Sequence, residues 1–330
     1  MEAQRPAQER VPHTPLEEKI ARRLGVELEQ VPKINLLLHF VDHSTADEAE
    51  GLRENLKKAD IVLTEWYGAG ASEEEFLREV THGSGLEEAE ALHGMYGDQG
   101  FEHGFHAQLE GTEKNVLPID IPATSPIYEE WQKIQRDVAA FDQSTLNDKP
   151  PLFADLLQEY ASFARRYAVD FQKPRDAYIV SQMPDTLTHA LELEPELLKK
   201  KELSVVGWFG AFHTGIYHDL KRTEHPSTSR KFSEASATFG SGLWDEPSRM
   251  YRFNKEPDPI VLARAWLAAQ QGFKDAVASV NATDSGTKQQ AREMLGRFTL
   301  GDIEAIYNVW RIEKNSDEAE KLMRDRLSDK

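Results

Sequence analysis

Apolar residues recur along this chain with two alternating periods. Ile34 to Val41 is an apolar run broken only by Asn35 and His39, the length of a buried strand. From Ala46 the spacing turns helical, with Ala49, Leu52 and Leu56 on one face, and Ile61 to Glu65 then reads as a second strand. Strand, helix and strand together take about 30 residues, the size of a parallel crossover unit. Val116 to Ile121 is predicted as a third strand, stopped by Pro122, and Leu203 to Phe209 as a fourth. Helices are predicted over 127–141, 152–171 and 175–183, divided by Pro150-Pro151 and Pro174, with a short one near 216–221.

The flanking segments have their own signatures. Residues 1–13 are polar and predicted to be disordered, after which Thr14-Pro15-Leu16-Glu17 forms a capping box that opens a helix and Gly25 closes it. The Ser/Thr/Gly-rich stretch 223–257 predicts a hairpin or a flap, and 259–327 reads as helices nearly throughout. Strands alternating with helices predict an α/β fold, a central mixed β-sheet flanked by helices. One domain would span 14–257, and a helical C-terminal extension over 258–330 would pack on it.

Composition narrows the chemistry. The 330 residues contain no cysteine, which excludes disulfide scaffolds, thiolate nucleophiles and iron–sulfur clusters, and leaves only His, Asp, Glu or backbone oxygen to hold a metal. A net charge of −18 argues against nucleic acid as a partner, because phosphate binding draws on clustered Lys and Arg. No apolar run approaches the ~20 residues that span a bilayer, and the N-terminus lacks the apolar core of a signal peptide. A cytoplasmic protein without a membrane span is the expectation, with its oligomeric state open.

Four residues fall at or just beyond predicted strand ends, where open α/β sheets place their sites: His43, Glu65, Asp120 and His213. Two imidazoles and two carboxylates at one sheet edge suit either a divalent cation or acid–base chemistry without one. A strand-end carboxylate such as Glu65 costs desolvation unless a cation or hydrogen-bond donors meet it. Gly210, three residues before His213, is expected to let the strand turn sharply. The His-rich segment 82–106 contains Glu102-His103-Gly104-Phe105-His106, which lacks the His-Glu-x-x-His zincin spacing and reads as a lid. His189, His218 and His225 read as surface or packing residues. No Gly-x-Ser-x-Gly elbow, P-loop or dinucleotide fingerprint is present.

Leu36 to His43, the Arg53-containing helix, and Ala59-Asp60-Ile61-Val62-Leu63-Thr64-Glu65 together resemble the opening of the TraB/PrgY/GumN and Tiki proteins. Those proteins carry a strand ending in Gly-x-x-His, a helix, and a strand ending in Glu. Val116-Leu117-Pro118-Ile119-Asp120 is similar to their third strand, Pro174-Arg175-Asp176-Ala177-Tyr178 to a helix start, and Val205 to Ile216 to their second Gly-x-x-His. The resemblance covers residues 34–222 and implies the fold of the erythromycin-esterase and ChaN-like proteins. It further implies divalent-metal-dependent hydrolysis of a peptide or small-molecule ester. His43, Glu65 and His213 would be the metal ligands or proton carriers, and the metal Mn, Co, Fe or Zn. Asp120 and Arg175 would line the same pocket with Glu65, Arg175 stabilising charge on a substrate oxygen. Phe40 stands where the family has its first glycine. That departure favours an alternative, a non-catalytic protein binding a small ligand, haem or a peptide on the same fold. Metal-free His/Glu esterase chemistry is a further alternative.

Overall fold

The computed structural model describes residues 13–41, 52–66, 71–83, 85–93, 101–146, 150–232, 245–270, 273, 293–313 and 315–328. Strands β1 (Lys33–Val41), β2 (Ile61–Thr64), β3 (Asn115–Pro118), β4 (Glu202–Gly210) and β5 (Ser229–Phe232) form one sheet in the order β3-β2-β4-β1-β5. Every pairing is parallel, so the predicted mixed sheet is corrected to a parallel one. The physical reason is that a helical connection precedes each return to the sheet, and such crossovers bring the strand back in the same direction. Within 223–257, where a hairpin or flap is expected, Ser229 to Phe232 pairs with Leu37 to Phe40 as a parallel strand and Asp245–Arg252 is helical, while 233–244 lie outside the described residues.

Sheets buried on both faces need strands that are apolar on both, and β1 and β4 have that character. Leu36, Leu38, Phe40 and Phe209 meet the helices Pro15–Leu24 and Lys173–Leu193 on one face. Val41, Val206 and Trp208 meet the helices Ala71–His82 and Phe101–Leu109 on the other. The capping box at Thr14 and Glu17 forms as the sequence predicts, and Gly25 ends that helix in the left-handed conformation at φ +66°. Glu17 also accepts the Ile34 amide at 2.8 Å, tying the first helix to the start of β1.

Pro174 does not break the chain as expected. The helix Phe153–Arg166 runs through a π segment, Tyr167–Gln172, into the helix Lys173–Leu193. Pro174 falls in the first turn after the π segment, where a missing amide proton is tolerated.

The helices Pro259–Ala269, Leu300–Tyr307 and Ser316–Ser328 build a second apolar core with Phe153, Leu156, Leu157 and Tyr160 of the Phe153–Arg166 helix. The boundary predicted at residue 257 thus has members of one core on both sides. No helix among the described residues is long and apolar enough to cross a membrane. The disorder predicted for residues 1–13 falls, His13 excepted, outside the described residues.

Candidate functional site

Parallel strands that lie side by side bring their C-terminal ends to one edge, and β3, β2 and β4 are neighbours. Asp120 follows β3, Glu65 follows β2, and His213 ends the short 3₁₀ segment Ala211–His213 after β4. The Glu65 amide still bonds the Trp208 carbonyl at 3.1 Å, so Glu65 leaves the sheet in register with β4. The Glu65 carboxylate accepts the Gly210 amide at 2.8 Å. Gly210 itself has φ −56° and ψ 152°, a conformation open to any residue, so the passage from β4 into the 3₁₀ segment does not draw on a glycine's freedom, and its amide is what meets Glu65.

His213 is buried between two carboxylates. Its Nε2 lies 3.0 Å from Glu65 Oε2 and its Nδ1 lies 2.6 Å from Asp176 Oδ1. Carboxylates only accept, so an imidazole serving both donates from both nitrogens and carries a positive charge. Burial pushes the His213 pKa down and the Arg175 cation adds to that. The Glu65 and Asp176 charges, with the Asp176 hydrogen bond, push it up and prevail, leaving it above the ordinary 6.5.

Asp176 is held in turn. Gln172 donates to its Oδ1 at 3.0 Å, and the Arg252 guanidinium donates to its Oδ2 while also donating to the Phe212 carbonyl at 2.9 Å. Gly215 provides the room: a Cβ there would overlap the Arg252 guanidinium and lie 2.6 Å from Asp176 Oδ2. Gln172, Arg175 and Asp176, at i, i+3 and i+4, share one buried helical face at the junction between the π segment and the helix that follows it. Such segments recur at functional sites.

Asp120 and Arg175 form a second buried pair. Arg175 donates from Nε to Asp120 Oδ1 at 2.7 Å and from Nη2 to Oδ2, and Asp120 Oδ1 also accepts the Ile121 amide at 2.7 Å. The guanidinium expected to meet a substrate oxygen is therefore engaged with Asp120, in a position where its charge is felt by His213. Three carboxylates (Glu65, Asp120, Asp176) face two guanidinium groups (Arg175, Arg252) and one imidazole. With the three carboxylates ionised, their charges balance when His213 is protonated.

His43, the remaining predicted ligand, lies outside the described residues. Among the described residues no group of three or more His, Asp or Glu side chains is arranged to hold a metal ion. Asp176 sits across the imidazole from Glu65, and Asp120 is closed by Arg175, so Glu65 and His213 Nε2 are the converging donors.

No protein-family model, curated protein or solved structure matches this chain. Its site is therefore read from its own geometry.

Other sequence candidates serve packing. Phe40 is buried in the core with Leu38 and Phe209. His106, from the segment read as a lid, stacks on Trp66 with ring centres 5.3 Å apart and meets Phe76 edge-on at 4.9 Å. His225 is buried, its Nε2 2.9 Å from the Ile34 carbonyl. His39 is also buried, with Nδ1 3.0 Å from Asn55 Nδ2 and no partner for Nε2 among the described residues.

Sequence reasoning missed Gln172, Asp176 and Arg252. The first two had a signal: polar residues at i and i+4 among Phe171, Ile179 and Met183 mark polar groups on a core-facing stripe. Arg252 had none, since its partner lies 76 positions away.

Proposed function

We propose that this protein is a hydrolase of peptide or ester bonds in which Glu65 and His213 carry the proton, in keeping with its resemblance to the TraB/Tiki proteins. The observation that carries this reading is the line Glu65–His213–Asp176 at the C-terminal edge of a parallel sheet. Its members grow more buried inward, with side-chain exposure of 11% at Glu65, 2% at His213 and 0% at Asp176. Glu65 is the outermost, so it is the group that meets water. As base it takes a proton from a water molecule attacking the carbonyl carbon, and it then returns that proton to the leaving alkoxide or amine. His213, held as imidazolium by Asp176, keeps Glu65 ionised between turnovers. Arg252 and Gln172 hold Asp176 in place.

A second reading is favoured by the 3.0 Å convergence of Glu65 Oε2 and His213 Nε2. A divalent cation, with His43 as third ligand, would take the place of the proton they share and would supply an activated water.

The test is hydrolysis of aryl esters and short peptides by the wild type, Glu65→Gln and His213→Gln, each with and without a chelator. The proposal expects a loss of about 10²–10⁴-fold in both variants. Full activity in Glu65→Gln sinks the acid–base role, and abolition by chelator in the wild type selects the metal reading.

A further inference from the structure

A concavity away from the His213 cluster lies beside the helix Asp245–Arg252. The helix Asp245–Arg252 turns Tyr251 and Ser248 into the protein, while Glu246, Arg249 and Met250 face a cavity of about 520 Å³ shared with the Pro259–Ala269 helix. That volume is within the ~300–1,000 Å³ range of small-molecule sites. Among the described residues three cations line it, Arg249, Lys255 and Arg264, against one acid, Glu246. In a chain of net charge −18 this local excess of positive charge runs against the composition. Arg264 is fixed in the wall by donating to the Gly296 and Phe298 carbonyls, each at 2.9 Å. Met250 and Phe253 line the same cavity, and Phe253 is left 51% exposed, an apolar surface that the helical core does not cover.

We propose that this cavity binds a small amphipathic organic anion, its carboxylate or phosphate head against Arg249 and Lys255 and its apolar body against Met250 and Phe253. Arginine and lysine heads pair with such anions through charge-assisted hydrogen bonds, and the apolar wall supplies the remaining affinity. The site is independent of the hydrolase reading, although the helix that lines it also carries Arg252.

The experiment is isothermal titration of the full chain with octanoate and octyl phosphate, and with octanol and octylamine as neutral and cationic controls. Lys255 is exposed, so Lys255→Glu reverses the charge without opening the core. The proposal expects saturable binding of one or both anions, weakened about tenfold or more in Lys255→Glu. The tighter of the two identifies the head group. Binding of octanol as tight as that of the anions, unchanged affinity in Lys255→Glu, or no binding of either anion would overturn it.

Discussion

His39 and His213 are both buried at the same parallel sheet, one within β1 and the other just past β4, yet they hold protons in opposite ways. His39 has Asn55 on one nitrogen and, among the described residues, no partner on the other, and burial together with the Lys231 charge pushes its pKa down to about 4. His213 has a carboxylate on each nitrogen, and its pKa rises despite its burial. Burial favours the neutral imidazole, and the Lys231 charge adds to that at His39; what converts His213 into a held cation is the pair of acids that the strand end and the Lys173–Leu193 helix bring to it.

The sharpest way to break this contrast is to strip one acid from His213. Asp176→Ala leaves Arg252 without its carboxylate and His213 with one acid in place of two. It is expected to cost about 3–5 kcal/mol in urea denaturation. Gly215→Ala acts one step further out, since its methyl group displaces Arg252 from Asp176, and about 1–3 kcal/mol is expected. An unchanged midpoint in Gly215→Ala would mean that Arg252 does not hold Asp176 in solution.

The two histidines also predict opposite limbs of stability against pH. For His213 the folded pKa lies above the unfolded 6.5, so its contribution is full below 6.5 and is lost as pH rises through the raised value. For His39 the folded pKa lies below, so its contribution is full above 6.5 and is lost as pH falls toward about 4. Denaturation midpoints of wild type, His213→Gln and His39→Leu across pH 4–9 separate the limbs. His213→Gln should flatten the alkaline one and His39→Leu should make the acid one shallower. The smallest effect is His39→Leu at neutral pH. Removing a neutral imidazole with an unpartnered nitrogen should shift stability by no more than about 1 kcal/mol.

Local features were readable before any coordinates. Thr14, Glu17 and Gly25 set their helix because capping is decided within a few residues, and the apolar runs of β1 and β4 mark buried strands wherever they lie. Glu65, Asp120 and His213 were found by the same route, as polar residues at strand ends. What escaped depends on distant partners. The parallel pairing of β5 follows from where the preceding crossover lands, which 223–257 does not encode locally. Pro174 looked like a stop because its missing amide is costly in a helix interior, and the π segment that places it in a first turn is set by packing. Asp176 was visible as the neighbour of Arg175, but its role depends on Arg252, whose approach is a tertiary event.

The central claim is that His213 is an imidazolium held between Glu65 and Asp176. Its direct test is a titration of the His213 ring by ¹⁵N-resolved NMR in the wild type, Glu65→Gln and Asp176→Asn. The account predicts that His213 stays protonated on both nitrogens at pH 6.5 and titrates above that value in the wild type, with the midpoint falling in each variant. A neutral His213 at pH 6.5, or a midpoint indifferent to both carboxylates, would contradict it.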